Sequence, residues 1–277
     1  MKTAQHSISR SLLLASLCLI ALAGCPPVLS GWVRLHGGTN SDYGRDLKQT
    51  SDGGYIVAGT TYSFGTFNGD MCLLKTNANG YLTWSYTFGG FDFEKGYRVV
   101  QANDGGYVVA GTTTSFGAGE LDACLVKVDS GGSYLWHETY GTAADDTALG
   151  LAKTSDGGYI LTGTTVNGQN GTLDIYLVKT DADGVEDWAR TIDYDGEEEG
   201  VGVVQTSDGG YAVAGGRIVL DPAADVDSPG YFARMFLVKT DGDGNPKWIQ
   251  EYGEYSIGVD VCLTGDGGYV VAGASGG

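Results

Sequence analysis

One octapeptide constrains this chain more than any other feature: Asp52-Gly53-Gly54-Tyr55-Ile56-Val57-Ala58-Gly59, with close copies beginning at Asp104, Asp156, Asp208 and Asp266. The copies advance by 52, 52, 52 and 58 residues, and a period near fifty belongs to propellers, solenoids and related arrays of one repeated unit. Each unit reads as four short extended segments. The first is Trp32 to His36, echoed at Trp84, Trp136, Trp188 and Trp248; the second is Gly44 to Gln49, echoed at Gly96 and Gly200. Tyr55 to Thr61 and Met71 to Thr76 complete the unit. All are rich in Val, Ile, Tyr and Thr and bounded by Gly, Asp or Asn, which is strand punctuation, and no long stretch has a helical period. The expectation is an all-β fold, a β-propeller of four-stranded antiparallel blades with about five repeats, the last incomplete.

Asp-Gly-Gly lies between the second and third segments, where a tight hairpin needs residues that tolerate positive φ. A phosphate loop would need a following helix and other glycine spacings. Most of the 47 glycines are therefore turn residues, and the 42% hydrophobic and 11% aromatic content supplies a core that a disordered glycine-rich chain would lack. Four units are complete and the fifth runs to Gly277, just after its third segment. Two alternatives follow, five blades with one deficient or a piece of a larger propeller; the second is favoured because closure exists to remove unpaired strand edges.

The chain opens with an address. Residues 1–24 have a basic start (Lys2, Arg10), an apolar run from Leu12 to Ala23 and small residues before Cys25, the layout of an export signal. Leu22-Ala23-Gly24-Cys25 matches the lipobox of bacterial lipoproteins. That resemblance implies cleavage before Cys25, lipidation of Cys25 and anchoring to the outer membrane or cell surface through its acyl chains. Residues 25–31 then form the lipidated cysteine and a short tether, and residues 32–277 the propeller repeats. The formal charge is −18, which repels phosphate backbones, so a nucleic-acid partner is not expected.

The run Leu177-Val178-Lys179-Thr180-Asp181-Ala182-Asp183-Gly184-Val185-Glu186-Asp187-Trp188 resembles the tryptophan-docking motif of quinoprotein-type (PQQ-like) propellers. The likeness covers almost all of the chain after Cys25. It implies that the segment at Gly44 is innermost and the tryptophan segment outermost, with tryptophan packed between blades. The interval between Asp and Gly is one residue shorter than in that motif, so no PQQ binding is implied. The repeat is also similar to one found in secreted and surface-anchored bacterial and archaeal proteins.

Residues present in every unit, the tryptophans with Asp70, Asp122, Asp174, Lys75, Lys127 and Lys179, read as scaffold. The working face is expected where the loops vary: Ser63 to Gly69, Ser115 to Leu121, Val166 to Leu173 and a longer one from Arg217 to Arg234. Asp42, Glu94, Asp146 and Glu198 fall at equivalent places, ten residues after successive tryptophans. They are candidate ligands for a cation or polyol, with Phe67, Phe93 and Tyr231 as ring-stacking neighbours. Asp181, Asp183, Asp241 and Asp243 sit in Asp-x-Asp-Gly turns that resemble calcium loops but lack the later ligands calcium needs. Calcium is the one cofactor these turns suggest. After Gly24 only His36 and His137 are histidines, too few for a zinc or Ser-His-Asp site; Cys72, Cys124 and Cys262 are an odd count, a poor disulfide framework, and Cys72 and Cys124, at one repeat position, read as core filler. The function expected is a membrane-anchored binding or scaffolding module with a protein or carbohydrate partner; the alternative is a carbohydrate-active enzyme or its accessory domain.

Overall fold

The computed structural model describes residues 32–66, 68–166, 171–194, 196–220 and 231–276, with backbone alone at Leu220 and Tyr231. A leading unit ends at Val33, and the unit from Arg34 to Gly277 holds every described strand. The fold is all-β and built of propeller-like blades; no sheet closes on itself among the described residues. The first blade is the meander β1 (Asp42–Gln49), β2 (Tyr55–Thr61), β3 (Asp70–Thr76) and β4 (Leu82–Phe88). The second is β5 (Glu94–Gln101), β6 (Tyr107–Thr113), β7 (Asp122–Val128) and β8 (Tyr134–Tyr140). The third is β9 (Gly150–Lys153), β10 (Tyr159–Val166), β11 (Leu173–Thr180) and β12 (Glu186–Ile192). The fourth is β13 (Glu197–Gln205), β14 (Tyr211–Leu220), β15 (Tyr231–Thr240) and β16 (Pro246–Tyr252), and a fifth unit contributes β17 (Ser256–Leu263) and β18 (Tyr269–Ser275).

The Asp-Gly-Gly motif makes the same turn in every blade. Gly53 has φ 79°, a left-handed conformation that side chains disfavour, and a Cβ on Gly54 would lie 2.1 Å from the carbonyl oxygen of Thr76. Asp52 Oδ1 accepts from the Gly54 amide at 3.0 Å, and its carboxylate binds the buried Lys75 ammonium at 2.8 Å. Lys127 with Asp104, Lys179 with Asp156 and Lys239 with Asp208 repeat this clamp, each at 2.9 Å. Hairpin and third strand of each blade are thereby tied at one end.

Blades pack face on face. Ile56, Ala58, Met71 and Leu73 of the first meet Tyr107, Val109, Cys124 and Val126 of the second, and the arrangement recurs at each following interface. Burying a side chain such as Leu125 contributes about 2 kcal/mol, so these faces dominate stability. Successive first strands β1, β5, β9, β13 and β17 neighbour one another, the innermost position expected for them. Arg98 of β5 donates from Nη2 to the carbonyl of Val259 in β17 at 2.9 Å. Tryptophan in the outermost strand reaches the next blade: Trp84 Nε1 donates to Ser130 O at 3.2 Å, and its ring lies on Gly132.

Three local expectations are corrected. Residues 32–38 form no strand: no ladder includes them, and His36 Nε2 instead bonds the carbonyl of Gly80 in a turn of the first blade at 3.0 Å. The third inner strand is cut to Gly150–Lys153, because Thr147 Oγ1 takes the Thr164 amide at 2.8 Å and leaves Asp146 with Thr165 as an isolated bridge. The long fourth loop begins and ends in ladder: Arg217 pairs with Arg234, Ile218 with Ala233 and Val219 with Phe232.

Candidate functional site

The loops that join one blade to the next lie beside the loops between second and third strands. Asn40 donates from Nδ2 to Tyr62 O at 2.7 Å and from its amide to Ser63 Oγ at 3.0 Å. One blade on, the Asp92 amide donates to Ser115 Oγ at 3.0 Å, and Asn68 Nδ2 to Phe91 O at 2.9 Å. Side chain to backbone bonding of this kind substitutes for a ladder where the chain must turn. Two shallow clefts result at equivalent places. One is lined by Thr39, Asn40, Ser41, Tyr43 and Tyr62, the other by Asn68, Asp92, Phe93, Thr114 and Glu120. The Tyr43 and Tyr62 rings meet edge-on at 6.3 Å, and Lys95 Nζ lies 4.4 Å from the Phe93 ring centre. Each cleft therefore combines an aromatic surface with amide, hydroxyl or carboxylate groups.

The four acidic positions lie beneath this face. Glu94, Asp146 and Glu198 are buried, and Asp42 is half-buried. Each caps its own loop through the amide four residues earlier: Gly38 to Asp42 at 2.8 Å, Gly90 to Glu94 at 3.0 Å, Thr142 to Asp146 at 2.7 Å and Tyr194 to Glu198 at 3.2 Å. Thr113 Oγ1 also donates to Glu94 at 2.8 Å, and Ser63 Oγ to Asp42 at 2.7 Å. Burial pushes Asp42 up, but its hydrogen bonds from Thr61, Gly38 and Ser63 outweigh that and hold it below the ordinary carboxylate range. Burial raises Asp146, with Asp122 adding like charge against bonds from Thr165 and Thr142.

Each of the first three blade interfaces also sets a third-strand carboxylate, Asp70, Asp122 or Asp174, against the cap of the next blade. A Cβ on Gly89 would touch both Asp70 and Glu94, and like charge from Glu94 adds to the burial that raises Asp70. At the third interface the glycine is replaced by Asp193. Asp174, Asp193 and Glu198 then bring carboxylate oxygens within 4.8 Å of one another, the one such acidic trio found among the described residues. Glu198 is pushed up to about 7 by burial, against the Tyr194 amide and Arg217, and with help from Asp174 and Asp193. Arg217 Nε stands 3.4 Å from Glu198 Oε1, while its Nη1 binds Glu251 at 2.6 Å. A cation at this trio would compete with that guanidinium.

Asp181 and Asp241 cap their own turns: Asp181 Oδ1 accepts the Asp183 and Val185 amides at 2.9 Å each, and Asp241 Oδ1 the Asp243 and Asn245 amides at 3.0 and 2.8 Å. Asp183 and Asp243 contribute backbone amides to these turns. Phe67 and Cys25 lie outside the described residues, as does the side chain of Tyr231, whose backbone opens β15. His137 bonds Tyr134 at 2.8 Å and packs on Phe88 and Phe116. Cys72 and Cys124 carry free thiols raised by burial, Cys72 up to about 12. The sequence reading did not single out Asn40, Tyr62, Asn68, Asp193 or Arg217. Asp193 alone carried a signal, as the one departure from glycine among the equivalents Gly89, Gly141 and Gly253.

No family model and no curated protein matches the sequence. Among solved structures, a protein of unknown function from Bacteroides caccae is 12% identical, with a TM-score of 0.32 over 77% of this chain and 83% of that one.

Proposed function

We propose that this chain is an exported, lipid-anchored binding module that presents the loop face of its blades to a carbohydrate partner. The observation that carries this reading is the pair of equivalent clefts, each with an aromatic ring beside polar groups, at Tyr43/Tyr62 and at Phe93. Sugars offer apolar ring faces flanked by hydroxyls, which such surfaces stack against and hydrogen-bond. Binding is favoured over hydrolysis because Asp42, Glu94, Asp146 and Glu198 each cap the amide of their own loop beneath this face and do not line either cleft. A glycosidase needs a pair free to act on substrate. Anchoring through Cys25 rests on the lipobox, and the charge of −18 disfavours a polyanionic partner.

A glycan array probed with the chain tests this reading. Tyr62→Ala and Phe93→Ala are expected to lower the signal for the bound glycans at least about tenfold, the loss of one stacking contact or more. Release of reducing sugar that disappears in Glu94→Gln or Glu198→Gln would instead establish the enzyme alternative. Incorporation of labelled palmitate, lost in Cys25→Ala, is the expected result for the anchor.

A further inference from the structure

We propose that Arg45 and Lys95 form an anion site at the inner rim of the loop face and take the carboxylate of an acidic sugar, so that the glycan bound there carries an isolated uronate. This inference rests on the carbohydrate reading above and narrows it.

One β-bulge recurs in the first strands. The register skips a residue between Gly44 and Asp46, Gly96 and Arg98, Gly200 and Gly202, and Gly258 and Asp260. Arg45, Tyr97, Val201 and Val259 are the extra residues, and a bulge re-aims the side chain that it carries. The Arg45 guanidinium lies over the Tyr97 ring, 5.3 Å from its centre. Tyr97 also feels the charge of Glu199 on β13, two blades on, so the three side chains face the inner space between the first strands. Lys95 stands two residues before Tyr97 and holds its ammonium 4.4 Å from the centre of the Phe93 ring. Phe93 lines the second cleft, and cleft and inner space therefore meet at Lys95.

Both cations lack a counter-charge. Elsewhere the basic side chains of this acidic chain are engaged: the four clamp lysines, Arg217 and Arg234 hold carboxylates, and Arg98, Lys153 and Arg190 donate to carbonyl oxygens. Among the described residues the charged groups of Arg45 and Lys95 make ring contacts alone. An aromatic face attracts a cation but leaves most of its N–H donors without an acceptor. Burial lowers Lys95, and repulsion from Arg45 adds to it; an anion between the two relieves both. Arg45 is exposed and Lys95 half-buried, so the pair can be reached from water.

The pair also departs from the repeat. Lys95 stands where the other units have Tyr43, Thr147, Glu199 and Ile257, and Arg45 where they have Tyr97, Leu149, Val201 and Val259. A scaffold side chain recurs with its blade; these two do not. A guanidinium and an ammonium together suit a carboxylate, which accepts charge-assisted hydrogen bonds from each. Phe93, Asp92 and Thr114 of the adjoining cleft offer a ring face and polar groups to the rest of the sugar. Glu199 across the same space and the formal charge of −18 restrict the ligand to a single carboxylate.

Isothermal titration calorimetry of the purified full chain with methyl β-D-glucuronide, its methyl ester and sodium acetate, at constant ionic strength, tests the proposal. The glucuronide is expected to saturate with a Kd of about 1 mM or below, at least about tenfold tighter than the ester, which keeps the ring without the charge, and than acetate, which keeps the charge without the ring. Arg45→Gln and Lys95→Gln are each expected to weaken the glucuronide about tenfold and to leave the ester unchanged. Far-UV circular dichroism confirms that both variants are folded. Tyr62→Ala, in the first cleft, is expected to keep the preference for acid over ester. Equal binding of acid and ester would overturn the proposal, as would glucuronide binding indifferent to both glutamine variants or the absence of saturable glucuronide binding up to about 20 mM. Acetate as tight as the glucuronide would overturn it by leaving a simple anion site only. In each of these cases a glycan-array signal that still falls in Tyr62→Ala and Phe93→Ala keeps the carbohydrate reading, so the two failures are told apart.

Discussion

Val108 and Val270 occupy the same place in two copies of one octapeptide, yet the first is fully buried and the second is 53% exposed. Val108 is flanked by complete blades; Val270 lies on a two-stranded unit with one neighbour. The same contrast separates β5, largely covered, from β1, whose residues are mostly exposed. Local sequence makes the hairpin in both settings, since Asp266-Gly267-Gly268 turns as Asp104-Gly105-Gly106 does. Burial is supplied by the neighbours, as expected of repeat arrays whose stability is a sum of unit and interface contributions. Among the described residues the middle blades are thus held by interfaces on two faces, and the first blade and the fifth unit by an interface on one.

Cavities break this comparison most sharply. Leu125→Ala in the buried second blade is expected to cost about 2–5 kcal/mol in urea unfolding, while Val270→Ala costs less than about 0.5 kcal/mol. Equal losses would mean that the fifth unit is covered in solution. The clamp gives the next largest difference. Asp104→Ala strands the buried Lys127 ammonium and is expected to cost about 1–2 kcal/mol, discounted because the carboxylate is itself exposed. Asp266→Ala, with no lysine to strand, is expected to leave the urea midpoint within error.

Protonation sharpens the contrast further. Glu198 is raised to about 7, so the folded state holds its proton longer than the unfolded one. Its contribution to stability falls as pH rises from about 4.5 through about 7. Glu198→Gln is expected to abolish that slope and to raise the melting temperature at pH of about 8 by a few degrees, with no gain near pH 4. The clamps have the opposite sign. Burial lifts Asp156, but Thr154, Lys179 and the Gly158 amide together bring it down to about 2. The stability it adds is present above about pH 4 and is lost as pH falls toward about 2. The smallest effect expected is a shallower acid slope in Asp156→Asn than in the parent chain.

Much of the fold was legible because each unit repeats the same punctuation. The Asp-Gly-Gly turn, the clamp lysines and the docking tryptophans recur at fixed spacing, and a scaffold residue must recur wherever its blade does. Boundaries failed where a local exception intervened. Thr147 carries a hydroxyl that takes a ladder amide and shortens β9, and Arg217 to Val219 continue a ladder where length alone suggested a loop. The site was less legible. Equivalence of Asp42, Glu94, Asp146 and Glu198 was plain, but the burial of the last three depends on the loop folding back over them. Tyr62 and Asn40 meet across 22 residues, a pairing that no local pattern announces.

The cap four residues on has a consequence for engineering. The carboxylate holds the base of the loop through the backbone amide of Gly38 or Gly90, which lies outside the tip and is untouched by the tip's side chains. The tips between Gly38 and Asp42, or between Gly90 and Glu94, are therefore suited to grafting. Foreign sequence can be inserted there as into a cassette, with Asp42 and Glu94 retained as the fixed rim.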